Sequence, residues 1–234
     1  MSGTSRASLP KGFLSAAVLA LVAAAVVSML RPSVGAFGSG MAVGGTLLLL
    51  LCVAFLVLRH YPHDRVGSCN AVTLARAAMV VALVAMRWSG ARGWDVMLVA
   101  TIALSLDGVD GWLARRHGLT SDFGARFDME TDAALAMVLA AHVWFGGMTG
   151  PEVLLLGMMR YGFVLAFWPF PWLAAALPQR FGRKVVCVIQ IAALILLQMP
   201  GLMPGQAQVV AWCAVLALIW SFGRDVLWLW GHRA

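Results

Sequence analysis

Charge is what this chain has least of. Only 12% of its 234 residues are charged and 62% are hydrophobic, against about 45–50% apolar residues in soluble domains. That balance excludes a soluble fold carrying a single anchor. Cysteine is also scarce: Cys52, Cys69, Cys187 and Cys213 form no CxxC or Cys/His spacing. A disulfide framework and a zinc site are therefore not expected, and these cysteines read as small buried hydrophobes. The five histidines are scattered. No small-residue cleavage site stands out before the second apolar run, so residues 1–30 are expected to remain as a span.

What is present is long apolar runs. "FLSAAVLALVAAAVVSML" and "MAVGGTLLLLLCVAFLVL" are each long enough to cross a bilayer. Eight helical spans are expected, near 12–30, 41–58, 70–87, 94–114, 127–146, 152–176, 184–199 and 207–224. The breaks between them, such as "RPSVGAFGSG" and "MPGLMPGQ", are rich in Gly, Pro and polar residues. The predicted fold is an all-α integral membrane protein, a polytopic bundle of about eight transmembrane helices. "GMAVG" at Gly40–Gly44 matches a helix-packing pattern.

Basic residues set the expected orientation. With both termini on one side, that side holds Arg6, Lys11, Arg59, Arg65, Arg115, Arg116, Arg126, Arg180, Arg183, Lys184, Arg224 and Arg233; the other holds Arg31, Arg87 and Arg92. The bias predicts cytoplasmic termini. It also accounts for the net charge of +7 as topology and headgroup attraction, with no call for nucleic acid. Arg76 and Arg160 alone fall inside spans.

The acidic residues are not spread evenly. "DGVDGWLARRHGLTSDFGARFDMETD" holds Asp107, Asp110, Asp122, Asp128, Glu130 and Asp132, six of the chain's ten carboxylates. Asp107 and Asp110 fall near the cytoplasmic end of the fourth span, Asp128 and Asp132 near the start of the fifth. A short connection makes those helices antiparallel neighbours. Asp107, Asp110, Gly111 and Ala114 share one helical face; Gly124, Asp128 and Asp132 share another. Four converging carboxylates repel unless cations lie between them, and an all-oxygen cluster suits Mg²⁺ or Mn²⁺. Small residues leave room for a ligand, and Arg115 can fork onto phosphate oxygens. The combination points to a metal-bound diphosphate. Glu130 lies on the opposite face, within reach of Arg126, and Asp122 reads as a solvated or N-cap residue.

The spacing D-x2-D-G-x2-A-R-x8-G-x3-D-x3-D, here Asp107, Asp110, Gly111, Ala114, Arg115, Gly124, Asp128 and Asp132, is similar to the signature of the CDP-alcohol phosphotransferase family. "NAVTLAR", with Asn70, Thr73 and Arg76, resembles the segment opening that family's first core helix, with Cys69 where a proline is usual. The resemblance covers residues 70–224. It implies two N-terminal helices outside the common core (residues 1–66) and a six-helix core (67–234). It further implies an enzyme of phospholipid synthesis, a CDP-alcohol phosphatidyltransferase. Such an enzyme transfers the phosphatidyl group of CDP-diacylglycerol to a small polar alcohol and releases CMP. Asp107, Asp110 and Asp128 would hold two Mg²⁺ or Mn²⁺ ions, with Asp132 as a further ligand and as general base. Asn70, Thr73, Asp107, Gly111, Ala114, Arg115 and Gly124 would cradle the CDP group. The expected setting is a homodimer in the bilayer of a bacterial inner membrane, with its active site cytoplasmic.

Arg160, Arg183 and Lys184 are candidates for binding the acceptor, which would then be a phosphorylated polyol. They match the phosphatidylglycerophosphate synthase pattern only in part, because Tyr161, Val186 and Cys187 depart from it. Two alternatives stand beside this reading. One is transfer of a CDP-linked headgroup onto diacylglycerol, which the same motif serves. The other is an ion-coupled transporter, which would need its carboxylates near the bilayer midplane.

Overall fold

The computed structural model describes residues 8–29, 35–61, 63–88, 93–117, 121–175 and 181–232; within them, the side chains of residues 29, 35, 109–117, 174, 181, 183 and 184 are outside the description. Every regular element among these residues is helical. In chain order they are α1 (Phe13–Met29), α2 (Gly35–His60), α3 (Ser68–Trp88), α4 (Gly93–His117), α5 (Asp122–Phe145), α6 (Leu154–Leu165), α7 (Phe181–Leu196) and α8 (Pro204–Gly231). The chain divides into two compact units, residues 1–132 and 133–234, with the boundary inside α5.

The first unit is built around α3, against which α1, α2 and α4 all pack. Twelve of its residues are buried, from Cys69 to Met86. The α1 face turned inward is a stripe of Ala16, Ala17, Ala20 and Ala24, which meets Leu74 and Ala78 of α3 together with Leu50, Val53 and Val57 of α2. Small residues are what such a contact requires, because in lipid the gain comes from close backbone approach and dispersion. Among the α2 glycines described, Gly45 is the one packed against α3, where a Cβ would lie 2.6 Å from Val81 Cγ1; at Gly40 and Gly44 it would meet nothing within 4 Å. The packing glycine is therefore one residue beyond the "GMAVG" pattern. Ahead of α1, the Lys11 N–H donates to the Asp64 carbonyl and the Val66 N–H to the Lys11 carbonyl, each at 2.9 Å. These bonds tie the entry of α1 to the connection between α2 and α3.

The second unit holds the rest of α5 with α6, α7 and α8. Its interior is aliphatic, with Leu135, Leu139, Leu156, Leu194, Leu197 and Leu218 buried. Two glutamines there bond to backbone. Gln198 Nε2 donates to the Leu139 carbonyl (3.0 Å), and Gln190 Nε2 donates to the Leu156 carbonyl. Outward-facing Leu165, Trp168, Trp220 and Leu227 are exposed, as a lipid-facing surface would be.

Helix lengths differ from expectation in several places: α2 starts at Gly35, inside the expected break, α8 continues to Gly231, and the largest difference is in the sixth span. The sixth span was expected to run over 152–176, but α6 ends at Leu165 and gives way to turns and a 3-10 helix over Pro171–Ala174. Pro169 and Pro171 lack the N–H groups that would continue the helix. Among the described residues three helices are long and apolar enough to cross a membrane, Ala36–His60, Ser68–Trp88 and Pro204–Gly231; Phe13–Ser28 and Val185–Leu196 are apolar but shorter. The structure thus gives eight helices in the expected order without establishing eight crossings.

Candidate functional site

The site belongs to the first unit, where α3, α4 and the first turns of α5 meet. Asp107 comes from α4, Asp128 and Asp132 from α5. One carboxylate oxygen from each lies within 4.8 Å of the others. The step of four between Asp128 and Asp132 puts them on one helical face, so the two can act together on whatever α4 brings.

Lying among the carboxylates is Arg76 of α3, only 1% exposed. Its Nη1 donates to Asp128 Oδ1 at 2.5 Å and lies 3.0 Å from Asp107 Oδ1. Its Nη2 donates to Asp132 Oδ1, and its Nε to the Ala103 carbonyl at 3.1 Å. A guanidinium is suited to this because its donors spread in a fixed planar fork. The cluster still carries a formal charge of −2, three carboxylates against one guanidinium. Each carboxylate binds Arg76 through Oδ1, and each has a second oxygen, Oδ2. The side chains of Asp107, Asp128 and Asp132 are 28%, 37% and 29% exposed, so a solute can reach them. Oxygen-only donors, close convergence and residual negative charge fit a hard divalent cation.

A second group lies where α3 and α5 begin. Asn70 sits in the first turn of α3, and Gly124 in the first turn of α5. A Cβ at Gly124 would come 2.7 Å from Asn70 Oδ1, so only glycine allows this approach. Ser121 caps α5: its Oγ accepts from the Gly124 N–H at 3.0 Å. The cap is Ser121, and Asp122 stands exposed in the first turn. Asn70 Nδ2 donates to the Tyr61 hydroxyl at 2.9 Å. Thr73 is buried and its hydroxyl donates back to the Cys69 carbonyl at 3.1 Å.

Of the residues singled out from sequence, the structure brings Asp107, Asp128 and Asp132 together and sets Asn70 beside Gly124. Asp110, Gly111, Ala114 and Arg115 lie on α4, and Arg183 and Lys184 on α7, but their side chains are outside the described residues. Arg160 is half-buried in α6, with interactions of its own. Two residues were not assigned to the site in advance. Arg76 carried a signal, since an arginine inside a span needs a carboxylate. Tyr61 carried none, lying outside every motif.

A family model described as CDP-alcohol phosphatidyltransferase matches residues 66–220. No curated protein and no solved structure matches the chain. The matched segment covers more than half of the sequence and contains all of the carboxylates described above. The chain belongs to this family.

Proposed function

We propose that this member of the CDP-alcohol phosphatidyltransferase family, a transferase of substituted phosphate groups, moves the phosphatidyl group of CDP-diacylglycerol onto a small polar alcohol. The observation that carries this reading is the convergence of Asp107, Asp128 and Asp132 within 4.8 Å around a residual negative charge. The family uses divalent metal, and Asp107, Asp110, Asp128 and Asp132 are the residues that would hold Mg²⁺ or Mn²⁺, two ions per site. Bound there, the metal would neutralise the diphosphate and polarise the phosphorus under attack.

The protein's own groups divide the remaining work. Asp132 accepts the proton of the acceptor hydroxyl. The acceptor oxygen then bonds to the phosphatidyl phosphorus, and the bond from that phosphorus to the bridging oxygen breaks, so CMP departs with the electron pair. Arg76 bonds Asp132 through Oδ1, which fixes the carboxylate and turns Oδ2 to the proton. Arg115 binds phosphate oxygens of the CDP group. Asn70, Thr73, Gly111, Ala114 and Gly124 shape the space for the nucleotide. A site at the membrane edge suits a substrate whose diphosphate lies at headgroup depth, and the basic bias supports a cytoplasmic edge. A bacterial inner membrane and a homodimer are part of the same proposal.

For the acceptor, the proposal rests on sequence. Arg160, Arg183 and Lys184 supply cations beyond Arg115, and a phosphate on the acceptor could accept charge-assisted hydrogen bonds from them. A phosphorylated polyol is therefore the proposed acceptor. The test is CMP release from CDP-diacylglycerol by the purified protein, with glycerol 3-phosphate, inositol phosphate, serine and inositol compared. Metal-dependent release fastest with a phosphorylated polyol is expected. Turnover only with CDP-choline and diacylglycerol would reverse the direction of transfer, and substrate-independent ion flux would make the protein a transporter.

A further inference from the structure

We infer that Tyr61, which lies outside the family-matched segment, is a positioning residue for the nucleotide site and acts through Asn70. The inference rests on the proposed role of Asn70 in binding the CDP group.

Tyr61 directly follows α2 and is 4% exposed. Its ring is clamped edge-on by Phe123 of α5 and by His63, with centroids 5.7 Å away in both cases. The hydroxyl thus has a fixed address. Its bonds have a fixed direction as well. Tyr61 Oη lies 3.1 Å from the Arg65 carbonyl, and a carbonyl can only accept, so the single phenolic proton goes there. Towards Asn70 the same oxygen can then only accept. That forces the Asn70 NH₂ to face Tyr61, at 2.9 Å, and sets Oδ1 close against Gly124, where a Cβ would lie 2.7 Å from it.

An amide side chain rotated by half a turn presents a donor where it had presented an acceptor. Tyr61 decides between these two sites of equal shape. With the phenol in place, Asn70 presents an acceptor on its Gly124 side, suited to an N–H or O–H of a nucleoside. The carbonyl that directs Tyr61 is itself held. Its neighbours Asp64 and Val66 bond the Lys11 backbone on either side, each at 2.9 Å. The backbone ties at the entry of α1 and the end of α2 are thereby linked to Asn70 through the Tyr61 hydroxyl, beside the apolar packing of both helices on α3.

The experiment compares wild type, Tyr61→Phe, Asn70→Ala and the double variant, all purified in detergent or nanodiscs. Three quantities are read: the Kd for CDP itself, the KM and kcat for CDP-diacylglycerol, and the melting temperature. Tyr61→Phe keeps the ring contacts and removes only the hydroxyl. Its Kd for CDP and its KM should rise about fivefold, the worth of one hydrogen bond, with kcat nearly unchanged. Asn70→Ala should weaken CDP at least as much, and adding Tyr61→Phe to it should weaken CDP no further. If the two effects multiply, or if Tyr61→Phe lowers only the melting temperature, the positioning role is overturned. A wild type that binds CDP but makes no CMP from CDP-diacylglycerol would sink the proposed transfer while leaving this inference to be judged on CDP binding. A wild type that does not bind CDP would overturn both.

Discussion

Arg76→Met is the sharpest perturbation the site allows, because it removes one charge and little volume. In the native cluster the three carboxylates lie within 4.8 Å of one another. At an effective dielectric near 20, each such pair repels by about 3.5 kcal/mol, or about 10 kcal/mol for the three pairs. Arg76 opposes this. Taking its charge centre as about 4 Å from each carboxylate, the attraction is about 12 kcal/mol by the same rule. The two sums nearly cancel, so the guanidinium is what makes the triad tolerable. Without it the repulsion stands alone, and water and proton uptake relieve part of it at carboxylates that are about one-third exposed. The measured loss should fall in the range for breaking a buried pair, about 3–5 kcal/mol, a drop of about 10 °C in melting temperature. Thermal unfolding in nanodiscs, with EDTA and with Mg²⁺, is the assay. Arg76→Met should melt well below wild type in EDTA and should gain more than wild type from Mg²⁺, because its site is one charge more negative. Arg76→Lys should fall between, since an ammonium cannot fork across several carboxylates. Equal melting of wild type and Arg76→Met in EDTA would refute the counter-charge role.

Asp132→Asn should abolish turnover, by at least about 100-fold for loss of a general base, with CDP binding largely kept. Normal rates of CMP release would remove Asp132 from its role. Asp107→Asn should raise the Mg²⁺ concentration needed for half-maximal activity, and full activity in excess EDTA would end the metal reading. Gly124→Ala places a Cβ 2.7 Å from Asn70 Oδ1, so KM for CDP-diacylglycerol should rise with little change in melting temperature; an unchanged KM would show that the approach is slack. Gly45→Val meets Val81 within the α2–α3 contact and should cost about 1–3 kcal/mol as overpacking, seen as a lower melting temperature, whereas Gly44→Val should be near neutral.

The carboxylates were legible in sequence because their spacing is dictated by helix geometry: residues four apart must share a face, whatever surrounds them. Asp107 finding Asp128 and Asp132 follows from that and from a short connection. The place of Arg76 was only half legible. An arginine in a span demands an acidic partner, but four carboxylates were available and nothing local said that Asp107, Asp128 and Asp132 would all share it. Tyr61 was not legible, since its role depends on one carbonyl and one amide brought together by chain folding. The length of α6 was misjudged for the opposite reason. The hydropathy of "FVLAFWPFPWLAAAL" outweighed two prolines whose missing N–H groups end the helix. The glycine pattern of Gly40–Gly44 did not single out Gly45, one residue further on, which is the difference between open space and Val81.

The central place of α3 bears on how the chain is made. A helix carrying a buried arginine is a poor candidate to enter a bilayer on its own, because a lone cation in lipid is costly. Here α1 and α2 precede α3 in the chain, and both pack against it. As synthesis runs from the N-terminus, the alanine stripe of α1 and the strongly apolar α2 are already made when the ribosome delivers Arg76. The charged helix then arrives against protein instead of hydrocarbon. Ala103 and Asp107 of α4, and Asp128 and Asp132 after them, are still to come, so every partner of Arg76 named here follows it in the chain.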